Sequence, residues 1–227
     1  MQEQNPELVP ERSVFIILRN YEQEFCIIFF LWAVTIIGMK TQHTLRQKTL
    51  LDRTLIQLQD GMSILPEDSR NIARPVQALS EKERDYLLPR ALLAGLHRFQ
   101  STQNIQAVSS IIKDTCETEA DRMETELTIV RYIAWAIPSI GFLGTVRGIG
   151  TALGQAYQAV AGDIAGVTQS LGVAFNSTFV ALVVSIFLMF LLHQLQLIQD
   201  RLVLDCQNYC DERLIRHLQI SDKGEQA

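Results

Sequence analysis

The chain has 227 residues, 48% hydrophobic and 20% charged, with 20 Lys and Arg against 25 Asp and Glu. That near balance, without a basic patch, argues against a nucleic-acid partner, and four cysteines with no CxxC or zinc spacing exclude a disulfide framework and a structural zinc site. The averages also exclude an ordinary soluble domain, because the charges are segregated: Phe25–Met39, Tyr132–Gly162 and Ile164–Leu192 are apolar blocks interrupted only by Arg147.

In chain order, residues 1–24 read as an outer-side amphipathic segment, with Val14–Leu18 apolar and Arg19–Glu24 polar. Residues 25–39 form a first transmembrane helix. It is short for a bilayer and therefore tilted, with Tyr21 and Lys40 as interfacial anchors. The late start and missing basic leader argue against a cleaved signal peptide.

Residues 40–131 read as a helical cytoplasmic domain. Leu45, Thr49 or Leu50, and Leu55 or Leu58 suggest an apolar stripe, which Gly61 and Pro66 break. Ser80-Glu-Lys-Glu83 is a capping box, and Leu87, Leu88, Leu92 and Leu96 behind it make a helical face. From Thr102 to Tyr157 only Pro138 interrupts a helical run, and Asp114, Glu117, Asp121 and Glu124 share one face as a solvated stripe.

Residues 132–157 form the second transmembrane helix, 158–166 an outer-side turn and 167–192 the third transmembrane helix. Residues 193–227 are a cytoplasmic C-terminal helix and tail, with Leu195, Ile198, Leu202, Cys206 and Tyr209 keeping a helical rhythm. Cys206 and Cys210 stand one turn apart, but no His or further Cys completes a metal set. The fold expected is an all-α integral membrane protein of three spans, the second and third continuing into the cytoplasm.

Basic residues set the orientation. Lys40 to Arg131 holds thirteen and the tail after Leu192 four, against two in the first 24 residues. The positive-inside rule puts the N-terminus outside and the C-terminus in the cytoplasm.

The candidate site lies on the two long spans. Gly141, Thr145, Gly148 and Ala152 share a face of the second, and Gly144 and Gly148 form a GxxxG, as do Gly150 and Gly154. Ser170, Ala174, Ser177, Ala181 and Ser185 share a face of the third, with Thr178 beside it. Thr145 and Thr178, at similar depth, make a polar belt once several subunits assemble. Arg147 reads either as a charge pairing with Asp163 or snorkelling outward, or as a pore-facing charge. No Asp, Glu or Lys lies within the three blocks, and threonine cannot hold a proton near neutral pH. A titrating carboxylate must then come from another subunit. No nucleophile–base pair, metal set, phosphate loop or cofactor motif appears, so an enzyme is not expected.

Pro138-x-x-Gly141-x-x-Gly144-Thr145-Val146-x-Gly148 resembles the second-helix signature of the MotA/TolQ/ExbB proton-channel family, and Ala174-Phe-Asn-Ser-Thr178-Phe-Val-Ala-Leu182 resembles its third-helix motif. The resemblance implies a bacterial inner-membrane channel subunit that forms a ring-shaped homo-oligomer, a pentamer. It would enclose two copies of a single-span partner similar to ExbD, TolR or MotB, whose helix brings the aspartate. It implies Thr145 and Thr178 as pore-facing threonines and Pro138 as the proline near the channel's inner end; Ser177 and Asn176 beside Thr178 are further pore-lining candidates, and Gly141, Gly144 and Gly148 with the Pro138 kink read as packing residues. Val173 stands where the ExbB and TolQ branch carries glutamate. A non-conducting scaffold of a secretion, envelope or defence assembly is the alternative; a small-molecule transporter is disfavoured by three spans without a repeat.

Overall fold

The computed structural model describes residues 21–53, 55–56 and 63–219, so the expected amphipathic segment lies outside the described residues up to position 20. Among the described residues eight helices follow in order: α1 Tyr21–Leu51, α2 Ser69–Gln77, α3 Glu81–Arg84, α4 Leu87–Thr102, α5 Ile105–Glu126, α6 Thr128–Gly154, α7 Ala156–Val160 and α8 Ala165–Arg213, then a 3-10 turn Ile215–His217. Among the described residues the β pairing is one parallel bridge between Ile64 and Leu218. Three stretches, Tyr21–Leu51, Ile105–Gly154 and Ala165–His217, are long and apolar enough to cross a membrane. At 1.5 Å per residue, the 49 residues of α8 span roughly 74 Å, more than twice the hydrocarbon thickness.

The chain forms two compact units. One takes in the described residues up to Ile37 with Thr128–His193; the other takes in Gly38–Leu127 with the described residues from Gln194 on.

In the second unit, α4 and α5 pack as an antiparallel pair. Leu87, Leu88, Leu92, Leu96 and Phe99 meet Val108, Ile112 and Cys116, with Cys206, Cys210 and Leu214 closing the core. Each such large side chain contributes roughly 1.5–3 kcal/mol on burial. The approach is close at Gly95, where an added Cβ would lie 2.9 Å from Ile112 Cδ1. Gln103 turns the chain at φ +49°, and Asn104 Oδ1 accepts from Ala107 N–H (3.1 Å) to start α5. The tail is tied down through Ile64, whose N–H donates to His217 O (2.7 Å) and whose carbonyl accepts from Gln219 N–H (3.0 Å).

The capping box caps only one turn. Ser80 Oγ accepts from Glu83 N–H (3.4 Å), but α3 stops at Arg84 and a new helix starts at Leu87. Pro89 explains the restart: without an N–H, it fits only the first turn of a helix. Gln47 Oε1 then accepts from Leu87 N–H (3.2 Å), so a buried amide of α1 takes the place of a local cap. This corrects the stripe expected after Lys40. Leu45 is exposed, and the face buried in this unit is Thr44, Gln47 and Leu50.

The expected run from 102 to 157 is helical apart from Gln103–Asn104 and a one-residue interruption at Leu127, whose N–H reaches back to Glu124 O (3.1 Å), and Gln155 before the short α7. Asp114, Glu117, Asp121 and Glu124 are exposed, whereas Glu119, which the sequence pattern passes over, is buried against Arg90 (2.8 Å). Cys116 joins Cys206 and Cys210, a third thiol that spacing along α8 cannot reveal. Hydrogen bonds with Cys116 and Cys210, then burial, push the Cys206 thiol up, so it stays protonated and packs as a small apolar group.

Candidate functional site in the helices of the first unit

Helices α6 and α8 run antiparallel, with small residues from each in contact. Gly141 lies against Ala181, Gly144 against Ser177 and Gly148 against Ala174. A Cβ on Gly144 would sit 2.8 Å from Ser177 Cβ, and one on Gly148 2.6 Å from Ala174 Cβ. These positions need glycine because the backbones come too close for any side chain. Gly150 and Gly154 meet nothing within 4 Å, so of the two GxxxG pairs only Gly144 and Gly148 is used here. Gly162, at φ +101°, makes the turn between α7 and α8, and Asp163 Oδ1 accepts from Ala165 N–H (3.1 Å) as α8 begins.

This close approach brings Thr145 and Thr178 together. Their hydroxyls are hydrogen-bonded to each other; Thr145 Oγ1 also reaches Ala174 O (3.1 Å), and Thr178 Oγ1 reaches Gly141 O (3.1 Å). Two hydroxyl protons thus face four acceptors, the two carbonyls and the two hydroxyl oxygens, so the pair can switch which oxygen each proton points to without moving a helix. Ser177 is buried next to Thr178 with its Oγ unpartnered, and Asn176 is half-buried with no hydrogen bond among the described residues.

Pro138 sits inside α6 and cannot donate to Ala134 O. Ser185 Oγ donates to that carbonyl instead (3.1 Å), so a hydroxyl from α8 satisfies the backbone group that the proline leaves. Ser185 is on the expected face, but its role could be seen only with the helix register known.

Arg147 is ion-paired with Glu22 (2.9 Å) rather than with Asp163. The packing of α1 places Glu22 alongside Gly144, where an added Cβ would lie 3.4 Å from Glu22 Cγ. A carboxylate of this chain therefore stands beside the second apolar helix, close to Ser177. The sequence pattern missed it because Glu22 lies three residues before the charge-free block begins. Neighbouring Gln23 is buried with both amide atoms unpartnered.

The site has hydroxyls, one paired carboxylate and close-packed backbones. It can orient water or a protonated group but offers no nucleophile activated by a base.

A model of the MotA/TolQ/ExbB proton channel family matches residues 83–208, which is more than half of the chain. That span includes α4 to α7 and all but the end of α8, and thus both threonines and the close-packed glycines. No curated protein and no solved structure matches the chain. The chain belongs to the MotA/TolQ/ExbB proton channel family.

Proposed function

We propose that this protein is the channel subunit of an inner-membrane complex that couples proton flow to mechanical work. Several copies, five by the family pattern, form a ring around a dimer of a single-span partner similar to ExbD, TolR or MotB. The partner's helix carries the aspartate that takes up and releases the proton, and Thr145 and Thr178, with Ser177 and Asn176, line its path. The N-terminus faces outward and the C-terminus the cytoplasm, with the second and third helices running on into the cytoplasm; the excess of basic residues between Lys40 and Arg131 supports that orientation.

The hydrogen-bonded threonine pair between adjacent apolar helices is the observation that carries this reading. Two switchable hydroxyls can hand a proton or water to a carboxylate with little reorganisation, and Glu22, already paired with Arg147, leaves that carboxylate to the partner. The same pair also supports a second reading, a non-conducting scaffold, because both hydroxyls are satisfied by carbonyls within the subunit.

Proton flux into vesicles holding the chain and its single-span partner separates the two. Replacing both threonines by valine keeps their shape and removes both hydroxyls. Flux falling to background with assembly intact is the expected result. Undiminished flux overturns the threonine path, and no flux in the unaltered complex favours the scaffold.

A further inference from the structure

Two clefts among the described residues of the second unit differ in their charged lining. The larger, about 1280 Å³, is lined by both signs: Lys40, Arg90 and Arg122 are ion-paired with Glu126 and Glu119, and Glu81 and Asp85 stand beside Arg46, Lys82 and Arg84. An anion entering it would meet carboxylates as well as cations.

The smaller cleft, about 600 Å³, lies between α2 and α4 and has no Asp or Glu in its lining. It is faced by Arg70 and Arg74, one turn apart on α2, and by His97 and Gln100 on α4. Neither arginine has an ion-pair partner among the described residues. With its amide oxygen turned toward Arg70, the orientation that satisfies both groups, Gln100 holds Arg70 in place by accepting from Nε (2.8 Å) and Nη2 (3.2 Å). That leaves three guanidinium N–H groups and the whole positive charge.

Ser69, the first residue of α2, lines the same cleft. It is only 2% exposed, and its Oγ has no partner. A buried hydroxyl left unbonded costs about 1–3 kcal/mol, so native folds rarely keep one without a use. Asp68, at the N-cap, makes no side-chain cap; its carbonyl takes the Asn71 N–H (2.9 Å), which leaves the Ser69 and Arg70 amides at the helix start to an anion.

We propose that this cleft binds a phosphate-bearing small molecule. Arg70 and Arg74 clamp the phosphate oxygens, Ser69 donates its hydroxyl to one of them at the start of α2, and His97 adds a ring N–H. The volume fits a small-molecule site. Forked guanidinium donors suit phosphate better than a spherical halide.

The test uses the full-length protein in maltoside detergent, with pyrophosphate as the probe in calorimetric titration at constant ionic strength. Saturable binding of pyrophosphate, with chloride failing to displace it, is expected. Arg70→Ala and Arg74→Ala each weaken it by about tenfold or more, and both side chains are exposed, so the fold is kept. Ser69→Ala weakens binding yet holds or raises the unfolding midpoint, because it removes an unbonded buried group; a merely structural serine would lower it. A repeat in bilayer nanodiscs containing phosphatidylglycerol identifies the source. Competition with pyrophosphate assigns the phosphate to a lipid headgroup, and absence of competition assigns it to a soluble ester. An adventitious affinity, with pyrophosphate bound equally by the wild type and the arginine variants, overturns the proposal, as does no saturable binding.

Discussion

Breaking the Glu22–Arg147 pair should be asymmetric, and the structure says in which direction. The Glu22 side chain is 15% exposed and the Arg147 side chain 54%. Arg147→Ala therefore strands a buried carboxylate, while Glu22→Gln leaves a half-exposed guanidinium that can turn toward water or headgroups. A fully exposed pair is worth about 0.2–1 kcal/mol and a hydrogen bond to a charged group about 1.5–3 kcal/mol. Discounting for the exposed arginine, Arg147→Ala should cost about 1–2 kcal/mol and Glu22→Gln less than about 1 kcal/mol.

Thermal unfolding of the full-length protein in detergent reads this out. At about 2–4 °C per kcal/mol for a chain of this size, Arg147→Ala lowers the midpoint by roughly 2–8 °C and Glu22→Gln by no more than about 4 °C. The charge-swapped protein, Glu22→Arg with Arg147→Glu, recovers most of the loss. The swap of Arg147 with Asp163 does not. Additive losses in the first swap, or recovery in the second, would refute the pairing.

Ser185→Ala leaves the Ala134 carbonyl without its hydroxyl donor and should cost about 0.6–1.7 kcal/mol, the range for interhelical hydrogen bonds in membranes; adding Pro138→Ala restores a backbone N–H at that carbonyl, so a double-mutant cycle by thermal unfolding shows the serine loss shrinking in the alanine background. Burial raises the Glu126 carboxyl, but the hydrogen bond and charge of Lys40, with those of Arg122, outweigh it and hold it below the ordinary carboxylate range. Its contribution to stability is thus present above the unfolded carboxylate pKa and is lost as pH falls through the lower, folded one. Midpoints measured from pH 6 down to pH 3 should show that loss in the wild type and a smaller one in Lys40→Met; equal acid sensitivity in both would contradict the pairing.

Much of the site was legible because it depends on one helix at a time. A 3.6-residue period puts Gly141, Gly144 and Gly148 on one face of α6, and Ala174, Ser177 and Ala181 on one face of α8, whatever those faces meet. The family-like order of small and hydroxyl residues then marks Thr145 and Thr178. What could not be read is whatever requires two helices in register. Ser185 reaches Ala134 across 51 positions, Glu22 reaches Arg147 across 125, and Cys116 meets Cys206 from a helix ninety residues earlier. Periodicity fixes an angle around one axis and is silent about a neighbour's height.

Local departures from the pattern have a different cause. Ser80 starts a helix as its capping box predicts, but Pro89 limits that helix to one turn, since the proline's missing N–H outweighs the continuous leucine face. Leu45 falls on the expected apolar stripe, yet the face of α1 buried in the second unit is that of Thr44, Gln47 and Leu50, where Gln47 caps α4. In both cases an obligatory backbone hydrogen bond decided the outcome over side-chain hydrophobicity, since an unmet buried amide costs as much as a lost methylene or two gains. Glu22 lies outside the charge-free blocks yet is held against Gly144 by Arg147, so a block without charge can still pack against a carboxylate from a neighbouring helix. The partner's aspartate, on the proposed mechanism, would then work beside a carboxylate already neutralised by its own arginine, which keeps two negative charges from competing for one proton.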